Sequence, residues 1–159
     1  MKLRSWPALL GFIAVVATVS ALGGWITSTS VTTWYAELAK PDWRPPNWLF
    51  GPAWTLLYAM MAVVAWRIWC VRKTAPEAHS LLALWGVQLA LNCAWSFLFF
   101  GLRSPLAGLV DIVILLVLLF WIQVRLAGFH RLLALLWIPY VLWVGFATAL
   151  NFSIWRLQN

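Results

Sequence analysis

Lys40-Pro41-Asp42-Trp43-Arg44-Pro45-Pro46-Asn47-Trp48-Leu49-Phe50-Gly51-Pro52-Ala53-Trp54-Thr55-Leu56-Leu57-Tyr58 begins as a polar, proline-punctuated loop and becomes an apolar helix without losing its aromatics. Each ring of Pro45-Pro46 fixes its own φ and pushes the preceding residue out of the helical region, so this part of the loop is extended. Asn47 then stands where a helix cap is expected, and Pro52 falls early enough in the helix to cost little. Three tryptophans and a tyrosine thus lie along a seam between water and hydrocarbon, where they can form the rim and one wall of a ligand pocket.

The rest of the chain fits that seam. Of 159 residues, 64% are hydrophobic and 9% charged, far more apolar surface than a soluble domain of this size needs. The expected fold class is an all-α membrane protein, a single domain over 1–159 built as a bundle of five transmembrane helices. The spans are about 6–26, 47–70, 80–101, 105–125 and 131–155, each near the ~20 residues that cross a bilayer. The net charge of +7 comes from Lys and Arg scattered at the ends of apolar runs, the pattern of snorkelling anchors and not of a nucleic-acid surface. Cys70 and Cys93 have no metal or CxxC spacing and read as buried thiols. Lys2, Arg4 and Val19-Ser20-Ala21 also resemble a cleavable signal peptide, but the apolar run continues through Trp25 and Ile26, longer than a usual h-region.

Short links join spans three, four and five. The one long connection, 27–46, reads as a lid carrying Trp34, Tyr35 and Trp43, with Trp48 beside it. Lys2, Arg4, Arg67, Arg72, Lys73, Arg125 and Arg131 fall on the N-terminal side of the bundle, and Lys40, Arg44, Arg103 and Arg156 on the other. That bias places the N-terminus in the cytoplasm, and the lid and C-terminus outside.

Trp6, Trp25, Trp69, Trp85, Trp121, Trp137 and Trp155 are near span ends, where an aromatic belt accounts for them. Trp54, Trp95 and Trp143 are interior, and either packing or ligand contact explains them. Counted at ~1.5 Å per residue, Trp54, Tyr58, Asn92, Trp95, Asp111, Trp143 and Asn151 lie about 6 to 18 Å below the lid side. Polar groups at that depth face one another or a cavity. On span three a helical wheel puts Trp85, Gln88, Asn92, Trp95 and Phe99 on one face. Gly86, Ala90 and Ala94 form a small-xxx-small ridge roughly opposite, against either a second copy of the chain or a neighbouring span. Asp111 is expected to pair with Arg103 or with polar groups near the start of its helix, with a proton relay as the other reading. Pro139 should bend span five and free the carbonyl four residues earlier. His79 and His130 lie away from the lid, and no catalytic or metal constellation is present.

These motifs resemble the translocator protein family (TspO, tryptophan-rich sensory proteins, the peripheral-type benzodiazepine receptor). The resemblance rests on Trp34-Tyr35, Lys40-Pro41-x-Trp43-x-Pro45-Pro46-x-Trp48 and Gly51-Pro52-x-Trp54-x-x-x-Tyr58. Gln88-Leu89-x-Leu91-Asn92-x-x-Trp95, Pro139-Tyr140-x-x-Trp143-x-x-Phe146-Ala147-Thr148-x-Leu150-Asn151 and Trp155-Arg156 carry it to the C-terminus. It implies a five-helix bundle, commonly dimeric, that binds porphyrins and synthetic isoquinoline or benzodiazepine ligands, with cholesterol binding in eukaryotic members. By position it places Trp54, Asn92, Trp143, Ala147 and Leu150 in the pocket and Trp43 and Trp48 near the lid. Light-dependent porphyrin breakdown, proposed for bacterial relatives, would involve Trp54 and Trp143. The loop has Asp42 where relatives sometimes add a tryptophan. The last helix lacks the tyrosine of the weak cholesterol consensus, which puts sterol specificity in doubt.

The expected function is therefore a receptor- or sensor-type protein of a bacterial cell membrane. Its ligand is a porphyrin (protoporphyrin IX or haem-like) or another hydrophobic small molecule, with no required cofactor. Its pocket is formed by Trp54, Tyr58, Asn92, Trp95, Trp143, Ala147, Leu150 and Asn151, and Arg44 and Lys40 on the lid read either as partners of ligand carboxylates or as solvated loop charges. Membrane lipid and a second copy through Gly86, Ala90 and Ala94 are the other expected partners. A light-dependent porphyrin-degrading enzyme is the alternative.

Overall fold

The computed structural model describes residues 5–158, so Lys2 and Arg4 of the charge argument lie outside it. Helix α1 is Trp6–Ser28, with Pro7 in its first turn. A single turn, α2 (Trp34–Glu37), interrupts the long loop, and a 3₁₀ turn at Asn47–Leu49 leads into α3, Phe50–Val71. Helix α4 is Glu77–Ser96 and ends in a π-helical turn at Phe97–Gly101. Helices α5 (Pro105–Phe129) and α6 (Arg131–Leu157) complete the chain, and no strand is present among the described residues. Five helical stretches are long and apolar enough to cross a membrane. Their outward faces carry Leu10, Val117, Val124, Leu132 and Leu142, all exposed, the distribution expected of a lipid-facing surface.

Helix boundaries follow local chemistry. Ser104 accepts from the Ala107 N–H at 3.2 Å and Pro105 occupies the first turn, which together start α5. At its far end α5 runs to Phe129, past the turn expected at 126–130. Leu126 is fully buried, and the chain reverses at the extended His130 alone. Helix α4 starts at Glu77, three residues before the expected boundary, because Pro76 already has helical φ and Glu77 favours the first turn. Pro139 lies inside an unbroken α6, where the carbonyl of Leu135 loses its usual donor.

On the side away from the long loop, the core packs Met61, Ala65, Ile68, Leu81, Leu115, Leu119 and Trp137 with almost no exposed surface. Two tryptophans assigned above to the belt belong to this core. Trp85 donates to the Met61 carbonyl at 3.1 Å, and Trp137 stands edge-on to Tyr140 with ring centroids 5.2 Å apart. Trp6, Trp25 and Trp121 remain exposed, as a belt requires. Towards the loop a second buried cluster forms around Tyr35, Phe99, Phe100, Leu150 and Ile154. Helix α5 there approaches its neighbours through Gly108, where an added Cβ would lie 3.0 Å from Phe99 and 3.1 Å from Asn151.

Candidate functional site

A cavity of about 490 Å³ lies under the long loop. Helix α3 contributes Phe50, Gly51, Trp54, Thr55 and Tyr58, and α4 with its π turn contributes Asn92, Trp95, Ser96, Phe99 and Phe100. Helix α6 adds Trp143, Ala147, Leu150, Asn151 and Ile154. All eight residues expected to form the pocket line this one space. Helix α5 lines none of it, so Asp111 does not join the group converging on the cavity. Asp111 is buried outside it, its Oδ2 without a hydrogen-bond partner, and no ion pair to the exposed Arg103 forms among the described residues.

The cavity floor is a chain of buried polar side chains. Tyr58 donates to Asn92 Oδ1 at 2.6 Å, Asn92 Nδ2 donates to Tyr140 Oη at 3.1 Å, and Tyr140 donates to Gln88 Oε1 at 2.8 Å. Gln88 Nε2 ends the chain on Met61 Sδ at 3.9 Å. The chain joins α3, α4 and α6 and fixes the amide orientation of Asn92, because each of its ends has a definite donor or acceptor partner. Asn151 is held in the same way, accepting from Trp95 Nε1 at 3.0 Å and donating to the Pro105 carbonyl at 2.8 Å. Trp95 therefore lines the cavity with its N–H used internally and its ring stacked on Phe99 at 5.2 Å. Trp54 and Trp143 differ: both line the cavity, and neither indole N–H donates to another described residue. They remain available to a guest.

Of the four lid aromatics, only Tyr35 reaches the cavity. It is buried against Phe100 at 5.5 Å, and that burial pushes its phenol above the ordinary tyrosine pKa while the adjacent Arg44 pulls it back. Trp34 packs edge-on to Phe99 at 5.6 Å but opens on its other side into a separate outer cleft with Arg103 and Trp155. Trp43 covers Phe146 from outside at 5.8 Å, and Trp48, 71% exposed, sits where an interfacial anchor would. Asn47 lines the rim but caps no helix, because its Oδ1 accepts from Arg44 at 3.1 Å.

Lys40 holds the loop together. Its ammonium donates to the carbonyls of Tyr35 (2.6 Å), Ala36 (3.0 Å) and Leu38 (2.7 Å) and lies 4.9 Å from the Tyr35 ring centre. It is therefore committed to the fold, neither a solvated charge nor free to meet a ligand carboxylate, the two readings given above. Ser30 ties the base of the loop to α4 by donating to the Phe100 carbonyl at 2.9 Å. That carbonyl needs an outside donor because the residue five further on is Pro105, which has no N–H. Ser30→Ala should lower stability by about 1–3 kcal/mol, the cost of a buried unpaired carbonyl. Thermal unfolding in detergent measures this, and a wild-type midpoint would refute the latch.

Helix α1 was missed as a wall. Ser20, Gly23, Gly24, Thr27 and Ser28 line the cavity. Their i, i+3, i+4, i+7, i+8 spacing was the available signal, a helical face of small and hydroxyl side chains. On α4, Gly86 and Ala90 face outward, and a Cβ on Gly86 would meet open space, so no described residue of this chain covers that part of the ridge. Cys70 and Cys93 are free thiols.

The profile of the TspO/MBR family matches residues 12–156. The chain belongs to the TspO/MBR family. It is 44% identical over 150 residues to the tryptophan-rich protein TspO of Archaeoglobus fulgidus, covering 94% of this chain and 96% of that one. It is 38% identical to the translocator protein of Sus scrofa, covering 95% and 90%, and 31% identical to the tryptophan-rich sensory protein of Cereibacter sphaeroides, covering 96% and 92%. With five apolar spans, this TspO/MBR member is an integral membrane protein.

Proposed function

We propose that the chain is a receptor- or sensor-type membrane protein whose cavity binds a porphyrin or a similarly flat hydrophobic molecule. The observation that carries this reading is the pair Trp54 and Trp143, two indole N–H groups that donate to no described residue, on one cavity that they line together with aromatic and aliphatic side chains and a few amides and hydroxyls. A site of a few hundred Å³, mainly apolar with a few fixed polar groups, suits a planar tetrapyrrole that stacks on rings and accepts from indole donors. The names of these relatives, sensory protein and translocator protein, are compatible with sensing or transport. The greater number of cations at the end of the bundle away from the lid supports a cytoplasmic N-terminus, and we place the protein in a bacterial cell membrane. The outward Gly86 and Ala90, with the half-buried Ala94 one turn further on, support a homodimer through α4.

Protoporphyrin IX at micromolar concentration should quench the intrinsic tryptophan fluorescence of the protein in detergent. Trp143→Phe should weaken binding by about tenfold, the loss of one well-placed hydrogen bond and part of its ring contact. Absence of quenching in the wild type rejects the porphyrin reading. Product formed only under illumination would favour the degrading enzyme instead.

A further inference from the structure

We infer that the cavity opens sideways to the bilayer between α1 and α3, in the leaflet on the lid side, and that its ligand arrives dissolved in lipid. The inference rests on the cavity being a ligand site, as proposed above. Near the other membrane face the two helices are closed against each other: Trp6 stacks on Trp66 at 6.2 Å, Phe12 meets Trp69 at 6.1 Å, and Trp66 Nε1 donates to the Ser5 carbonyl at 3.1 Å. Towards the lid, α1 instead leans on α4 and its π turn. A Cβ on Gly23 would lie 3.1 Å from Ser96 Oγ, and one on Gly101 would lie 3.5 Å from Ile26. The edges of the cavity on α1 and α3 are then Gly24 and Gly51, both exposed, and a Cβ on either would meet no atom within 4 Å. Thr55, the next residue along the α3 edge, is exposed as well, and its hydroxyl turns back to the Gly51 carbonyl at 2.9 Å and so is taken up within the helix.

The roof gives no comparable opening. Tyr35 is buried, Lys40 binds three loop carbonyls, Ser30 is bonded to Phe100, and Gln158 Nε2 donates to the Ala39 carbonyl at 3.1 Å. The backbone-lined slot therefore faces hydrocarbon while the aqueous side is fastened shut. Such an opening admits flat or chain-like apolar molecules and excludes water-soluble ones, because an ion or polar solute would have to cross lipid to reach it.

The test uses the full chain in vesicles of phosphatidylcholine with brominated acyl chains, where bromine quenches nearby indoles. The difference between wild type and Trp54→Phe reports quenching of Trp54. The account expects Trp54 to be quenched, and expects that quenching to be lost in Gly24→Leu/Gly51→Leu, whose new side chains enter open space. An unquenched Trp54, or equal quenching in the double variant, overturns the portal. Protoporphyrin IX added from preloaded vesicles gives a second reading: in the double variant the association rate constant should fall about tenfold, with the dissociation rate constant falling alongside it. Weaker binding at an unchanged association rate would make the two glycines simple contacts and also overturn the portal. If protoporphyrin fails to bind the wild type, the porphyrin reading falls and the bromine measurement alone decides the portal.

Discussion

Gly108→Leu should destabilise the protein by about 3 kcal/mol, the cost of overpacking a tight helix contact together with one broken buried hydrogen bond. A Cβ added at this position would lie 3.0 Å from both Cβ and Cδ2 of Phe99 and 3.1 Å from Asn151 Oδ1. Phe99 belongs to the π turn and is 2% exposed, so it has nowhere to withdraw. Asn151 cannot move without releasing Trp95 Nε1 or the Pro105 carbonyl. Leucine must therefore push α5 away from both α4 and α6. Gly108→Ala should show a smaller loss of the same sign. Unfolding midpoints in one detergent compare the three proteins, and a leucine variant as stable as wild type would mean that α5 does not make this close approach.

The second large effect is expected at the cavity floor. Asn92→Leu keeps roughly the volume of the side chain but leaves the Tyr58 hydroxyl without its acceptor and Tyr140 without its donor. Two buried polar groups stranded at about 1–3 kcal/mol each predict a loss of about 2–4 kcal/mol once some relaxation is allowed. Binding of protoporphyrin should weaken as well, because Tyr58 and Asn92 both line the cavity. Tyr140→Phe in the same background separates network from packing. If the hydrogen bonds act as a chain, the double variant loses less than the sum of the two single variants. Strict additivity would show that the three side chains are merely adjacent.

Much of this arrangement was legible in the sequence because lipid imposes strong rules. A span must be helical, so the residue count from a helix end gives depth, and Trp54, Asn92, Trp143 and Asn151 fall in or near the lid-side half of the membrane on that count alone. The wheel for α4 likewise separated buried Gln88 and Asn92 from outward Gly86 and Ala90. Depth does not fix rotation about the helix axis, however. Asp111 lies at the right level and outside the cavity for that reason. Trp85 and Trp137 are near span ends yet turn inward, which end-counting alone cannot detect.

Lys40 failed for a different reason. A lysine among loop prolines reads as a solvated charge, whereas nearby carbonyls with no regular partner attract its three donors. Lys40→Met should accordingly loosen the loop. Faster amide hydrogen exchange across 34–40, with the transmembrane helices unchanged, is the expected signature. Unchanged exchange in the loop would show that the ammonium contacts contribute little. The wall supplied by α1 escaped for lack of side chains. Gly23 and Gly24 matter through the space they leave, and a list of chemical groups does not register space.

The central claim is that a ligand enters the space beside Trp54 and Trp143. The most direct measurement is the indole N–H spectrum of ¹⁵N-tryptophan-labelled protein in detergent, each signal assigned by single Trp→Phe variants, recorded before and after adding protoporphyrin IX. The account predicts that the Trp54 and Trp143 resonances shift or broaden while those of the exposed Trp6, Trp25 and Trp121 stay in place. Perturbation of the exposed tryptophans with Trp54 and Trp143 unchanged would place the porphyrin on the outer surface and contradict it.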